Sequence, residues 1–137
     1  MSTRLVTVEA DDSLRTVRHI LERTRFHHML VIDNRQLVGV ITDRELFHFI
    51  SPYLGTMIET DRDKAALQKR AHQIMQRNPP TLPPDADLSA ALAIFSKNTD
   101  MTCIVVMGNE EEPIGIITWR DLLRLLDKLY NEKRSKK

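Results

Sequence analysis

The sequence predicts an α+β fold built from two tandem copies of one strand–helix–strand–strand–helix unit. Three observations carry that reading. The octapeptide GVITDREL, from Gly39 to Leu46, returns as GIITWRDL from Gly115 to Leu122, an offset of 115 − 39 = 76 residues. TVEADDSLRTVRHI (Thr7 to Ile20) aligns with TLPPDADLSAALAI (Thr81 to Ile94) at an offset of 74, matching Thr7 with Thr81, Asp11 with Asp85, Leu14 with Leu88 and Ile20 with Ile94. MLVID (Met29 to Asp33) meets CIVVM (Cys103 to Met107) at the same offset, and two residues gained in GNEEEP turn 74 into 76. Matches that keep one order, with a single loop insertion, mark a duplication.

Each copy opens on a short extended entry, LVTVE or TL. Ser13 and Asp87, which align with each other, stand where helix caps are needed, ahead of apolar-periodic segments. Leu14, Val17, Ile20 and Leu21 share one helical face, and Leu88, Ala91, Leu92 and Phe95 share another. MLVID-NRQ-LVGVIT is two β-rich runs around a polar turn, and CIVVM-GNEEE-PIGIIT is the same hairpin with a longer turn. A closing helix begins after Thr42 and again after Thr118. Between the copies, Thr60 and Asp63 form a capping-box pattern, and Leu67, Ala71, Ile74 and Met75 lie on one stripe of a linker helix. The expected organisation is a first repeat over residues 1–50, a linker with a helix over 51–74, a second repeat over 75–130 and a basic tail over 131–137. The tail reads as a solvated helix end.

Composition narrows the function. The 137 residues are 42% hydrophobic, enough for a core, and 20 basic against 19 acidic residues leave a formal charge of +1, which excludes nucleic-acid binding driven by bulk charge. The single cysteine, Cys103, fits a reducing compartment. No apolar run reaches the ~18 residues of a membrane helix, and the first residues lack a signal-peptide core, so a cytoplasmic protein without a membrane partner is expected.

The repeated octapeptide has two readings. Thr at the N-cap with an acidic residue three positions on, Glu45 or Asp121, is a capping box, and that structural role suffices for both residues. The same geometry makes a phosphate site, because free amides and the helix dipole meet there. Arg44 and Arg120 sit in the first turn, where the dipole disfavours cations and an anionic ligand would explain them. A carboxylate one position later can accept both hydroxyls of a ribose.

Taken with IMQRNPPTLPPDADLSAALAIF, HHMLVID…LVGVITDREL and TCIVVM…PIGIITWRDL, the chain resembles the CBS domain pair, or Bateman module. The resemblance implies two repeats related by a pseudo-twofold axis, with two small sheets flanked by helices and two clefts. It implies an adenosine-containing ligand: AMP, ADP or ATP first, with S-adenosylmethionine, NAD or a cyclic dinucleotide as further members of the class. No required cofactor is implied. Carried over, one cleft joins Thr118, Arg120 and Asp121 to His27, His28 and Met29, with Val6 and Thr7 near its base; the two histidines stand where some members place phosphate-binding basic residues. The other joins Thr42, Arg44 and Glu45 to Met101, Thr102 and Cys103, with Thr81 and Leu82. Glu45 is one methylene longer than the family's Asp, and Met101 and Thr102 bring no charge, so the Asp121 cleft is expected to be the better one. AHQIM ahead of the second copy resembles the family's entry helix, whereas the first copy is preceded by MSTR.

His27 and His28 have no carboxylate or cysteine at ligand spacing, so no metal is expected. Cys103 opens an apolar strand and reads as a buried thiol. Trp119 has two readings, a stacking partner for adenine or a packing residue. No P-loop, dinucleotide fingerprint or nucleophile elbow is present, so no enzyme is expected. DLLRLLDKLY and ELFHFI are apolar on more than one face, which, with the family's habit, points to a homodimer. The expected function is a stand-alone regulatory module that binds an adenosine ligand and signals to a separate, unidentified effector protein. The alternative is a structural interaction module whose clefts are empty.

Overall fold

The structure, a computed structural model, describes residues 3–24, 27–50, 57, 60–98 and 100–135. It falls into two compact units, one of Val6–Asn78 and one of Met1–Leu5 with Pro79–Lys137. Lys136 and Lys137, and most of the first ten residues of the expected linker, lie outside the described residues.

The first unit runs β1 (Thr7–Glu9), α1 (Leu14–Thr24), β2 (His28–Asp33), β3 (Gln36–Thr42), α2 (Asp43–Phe49), α3 (Asp61–Ala66), α4 (Ala71–Ile74) and β4 (Gln76–Arg77). Its sheet has the order β1-β2-β3-β4. β1 lies parallel to β2, and the other neighbours are antiparallel. The β2–β3 hairpin turns through Asn34 and Arg35, both at positive φ (49° and 65°), the backbone of a primed two-residue turn whose twist matches its strands. The apolar stripe of α1 behaves as its spacing predicts: Leu14 and Val17 are buried against Val8, Met29, Val31, Ile41 and Leu46.

The second unit repeats the plan as β5 (Thr81–Leu82), α5 (Leu88–Lys97), β6 (Cys103–Met107), β7 (Pro113–Thr118) and α6 (Trp119–Ser135). Its sheet is β5-β6-β7, with β5 parallel to β6 and β7 antiparallel. Ala91, Phe95, Ile104 and Leu122 form its buried cluster. Both expected caps are in place: the Asp87 carboxylate accepts the Ala90 amide at 3.1 Å, and the Ser13 hydroxyl accepts the Thr16 amide at 3.4 Å. The segment read as a basic tail continues α6 as far as Ser135.

The intervening segment differs from the single helix expected there. Thr60 and Asp63 do cap a helix, but the helix ends at Ala66 and a separate turn starts at Ala71. The carbonyls of Leu67 and Lys69 accept the first amides of α1, Arg15 at 3.3 Å and Leu14 at 2.8 Å. The amides that would continue the i→i+4 ladder are spent elsewhere, Ala71 on the Asp12 carbonyl at 2.8 Å and His72 on the Ala10 carbonyl at 3.1 Å, so the helix breaks between its two halves. Ala71 and Ile74 are then buried in the first unit's core, and β4 joins that unit's sheet. The turn that resembles an entry helix of the second copy is therefore packed in the first unit.

Candidate functional site

In each unit the residues singled out by the motif gather at one end of the sheet, where the first two strands begin and the third hands over to its helix. In the first unit, Leu30 donates its amide to the Val6 carbonyl at 2.9 Å, Thr7 pairs with Leu30, and His28 pairs with Thr42. Val6, Thr7, His28 and Thr42 are thus neighbours by strand register. Met29 is 1% exposed and packs in the core, so a ligand could meet only its backbone. His27 is exposed, with Nδ1 3.1 Å from Asp43 Oδ2. Sequence reasoning missed that partner; the pair is solvent-exposed and adds little to stability.

Thr42 is buried and caps α2. The Glu45 carboxylate answers it: Oε2 accepts the Thr42 amide at 2.7 Å and also the Thr42 hydroxyl. The other oxygen, Oε1, accepts from Gln76 Nε2 at 2.7 Å. Both oxygens of Glu45 are therefore engaged inside the unit. Gln76 lies 31 residues away in sequence, and no local signal announces it.

The second unit builds the same corner with one difference. Cys103 pairs with Thr118, and Thr81 pairs with Val105. Met101 and Thr102 lead into β6 and are half-buried, while Cys103 is a buried thiol as expected. The Thr118 amide donates to Asp121 Oδ2 at 2.9 Å, the Thr118 hydroxyl lies 3.3 Å from the same oxygen, and the Asp121 amide donates to Thr118 Oγ1 at 3.4 Å. Among the described residues, Asp121 Oδ1 has no hydrogen-bond partner. Asp121 and Leu82 both line a cavity of about 360 Å³, walled by Leu88, Val106, Ile117 and Leu122. Trp119 takes the packing role: its ring lies 5.1 Å from that of Phe95, tilted by 40°.

Arg44 and Arg120 are exposed and form no ion pair among the described residues. A guanidinium in the first turn of a helix that makes no ion pair with its neighbouring carboxylates is available to an anion. Among the described residues no cluster of three or more His, Cys, Asp or Glu could hold a metal, and no helix is long and apolar enough to cross a membrane.

Asp87 also lines the cavity. Hydrogen bonds from the Ser89 hydroxyl and the Ala90 amide hold its carboxyl below the ordinary 3.8. A carboxylate depressed in the folded state contributes stability above its unfolded pKa and loses it as pH falls through the folded value. Asp87→Asn keeps a capping acceptor without the charge. The melting temperature of this variant should lie below that of the parent at neutral pH, and the gap should close as pH falls below about 4. A gap that stays constant down to about pH 2 would assign the cap no charge contribution.

The family model for the CBS domain matches residues 1–52 and 71–128, and the chain belongs to that family. A CBS domain-containing protein of Dictyostelium discoideum is 32% identical over 131 residues, covering 94% of this chain and 89% of that protein. An uncharacterized protein of Methanocaldococcus jannaschii is 29% identical over 136 residues, covering 92% of this chain and 47% of that protein; the chain thus spans about half the length of this relative. Among solved structures, a CBS domain pair in complex with 5′-methylthioadenosine and S-adenosyl-L-methionine superposes with a TM-score of 0.71 at 23% identity, covering 93% of this chain and 92% of that one. The cytosolic domain of the Mg2+ channel MgtE in complex with ATP gives 0.69 at 21% identity, covering 91% of this chain and 46% of that one. The tandem CBS fold is thereby established.

Proposed function

We propose that this chain is a regulatory module that binds an adenosine-containing ligand, without turning it over, and passes its state to a separate protein in the cytoplasm. The observation that carries the reading is the α6 N-terminus. There, among the described residues, Asp121 holds one carboxylate oxygen uncommitted while Arg120, one residue before it, makes no ion pair. A carboxylate oxygen takes ribose hydroxyls, and a guanidinium with free helix amides takes phosphate. Fold neighbours solved with ATP and with S-adenosyl-L-methionine support the ligand class. AMP, ADP and ATP are favoured over S-adenosylmethionine and NAD because Arg120 answers a terminal phosphate. The family pattern assigns His27 and His28 to the same ligand, and mutation of either checks that assignment.

Calorimetric titration with AMP, ADP, ATP and S-adenosylmethionine tests the reading. We expect saturable heat from at least one of the adenine nucleotides, and absence of heat or thermal shift from all four up to millimolar concentration would overturn it. For the Thr42, Arg44 and Glu45 set a second reading is favoured. Both oxygens of Glu45 are spent within the unit, so this corner acts as a helix cap and contributes little to ligand affinity.

The module is also proposed to be a homodimer. Leu123, Leu126, Leu129 and Tyr130 of α6 are exposed large hydrophobics along one helix, and a water-facing apolar stripe of this size is a protein-interaction surface. Light scattering at tens of micromolar should give about twice the chain mass of 15.9 kDa, and Leu126→Asp should return it to the single-chain value. A parent chain that already scatters as a monomer would count against the dimer.

A further inference from the structure

The two units fill the space between their helices differently. In the first unit a groove of about 290 Å³ runs between α1 and α2, lined by Leu21, Leu46, Phe47 and Ile50, with Arg18 and Glu22 on its rim. At the offsets of 74 and 76, Leu21 and Leu46 align with Phe95 and Leu122. Phe95 is 2% exposed and packs with Leu122 in the second unit's buried cluster, whereas Leu21 is half-buried. Next to Phe95 lies a second ring, Trp119, at 5.1 Å. Its counterpart is Asp43, whose carboxylate instead meets His27 at 3.1 Å. The first unit therefore lacks both rings that its sister brings to this place.

The groove also has a basic setting. Arg18 and Glu22 neutralise each other across 3.0 Å. Arg15 lies one turn before Arg18 on the same stripe of α1, and Arg44 one turn before Phe47 on α2. Both are exposed and form no ion pair among the described residues. Phe47 is 71% exposed beside them. A second copy of this same face would bring like charges together, which is unfavourable, whereas an acidic surface would answer both arginines.

We propose that the α1–α2 groove docks a helix of a partner protein that inserts one aromatic side chain against Leu21 and Leu46 and presents carboxylates to Arg15 and Arg44. A ring is the group that the sister unit itself uses here, as Phe95 against Leu122. One ring buried in a pocket is a common anchor of a helix-in-groove contact, and the arginines add specificity and a faster encounter. This docking rests on the part of the regulatory reading that calls for a separate protein, and it gives that protein a place and a chemistry. No nucleotide enters it, so its failure and the failure of the ligand reading are separate results.

The test uses the full chain and the capped peptide acetyl-EEALAEFLAEEA-amide, without nucleotide. The peptide should shift the methyl resonances of Leu21, Leu46 and Ile50 saturably, with a dissociation constant below about 1 mM. Exchanging its Phe for Ala, or its Glu residues for Lys, should weaken binding at least tenfold. Leu21→Phe fills the groove with the sister unit's own side chain, so it should abolish binding without lowering the unfolding midpoint. Should that variant misfold, Arg15→Glu combined with Arg44→Glu changes only exposed residues and should weaken binding at least tenfold. Unchanged resonances up to about 5 mM peptide would overturn the proposal. So would equal binding of the Lys peptide, binding retained by a folded Leu21→Phe chain, or the same methyls moving with chain concentration in the absence of peptide, which would place a second copy in the groove.

Discussion

Phe95→Ala should destabilise the second unit by about 3–5 kcal/mol, the usual cost of deleting a buried aromatic ring and leaving a cavity. Phe95 is one of four residues in that unit's buried cluster, with Ala91, Ile104 and Leu122, and Ala91 brings little volume of its own. Its ring also supports Trp119, so part of the exposed indole would lose its backing. The existing cavity beside this cluster means that the new void cannot be filled by a well-packed neighbour. Trp119 is the sole tryptophan of the chain, so its fluorescence in urea reports on this unit selectively. A matched control is Leu92→Ala on the same helix, where the side chain is exposed and the cost should stay below about 1 kcal/mol. A midpoint shift for Phe95→Ala no larger than that of Leu92→Ala would mean that the cluster is not the unit's core.

The repeat units were legible because each local choice agreed with the global one. The β-rich runs became β2, β3, β6 and β7, the Leu14 and Leu88 stripes became α1 and α5, and Ser13, Thr42, Asp87 and Thr118 stand at helix starts. What sequence could not show is where residues 67–77 pack. Their apolar stripe is helical by spacing, yet the carbonyls of Leu67 and Lys69 are claimed by α1, more than 50 residues earlier, and only the folded chain brings the two together. The site behaves likewise. Thr and the acid three positions on are readable as a pair. That Glu45 spends its second oxygen on Gln76, while among the described residues Asp121 keeps one uncommitted, depends on β4 pairing with the first hairpin. Sequence argued the inequality from the length of Glu; the structure offers a further reason, since that longer carboxylate is bonded to Gln76.

Asp121→Ala should reduce adenine-nucleotide affinity by roughly 10- to 150-fold, the range for deleting one or two hydrogen bonds to a charged group. The same substitution removes the acidic half of the α6 cap, so a modest loss of stability is expected alongside it. Two comparisons separate the roles. Asp121→Asn retains a capping acceptor and should restore most of the stability while leaving affinity low, because an amide accepts ribose hydroxyls more weakly than a carboxylate. A 2′-deoxynucleotide should bind the parent less tightly than the ribonucleotide, and the difference should vanish in Asp121→Ala, the coupling expected of two groups in direct contact. Glu45→Ala should do the opposite. It leaves Gln76 and the Thr42 amide without their acceptor, so the first unit loses stability, while the first nucleotide binds nearly as before. Binding that survives Asp121→Ala and disappears in Glu45→Ala would place the working ribose contact at the other helix, with Gln76 yielding its bond to the ligand.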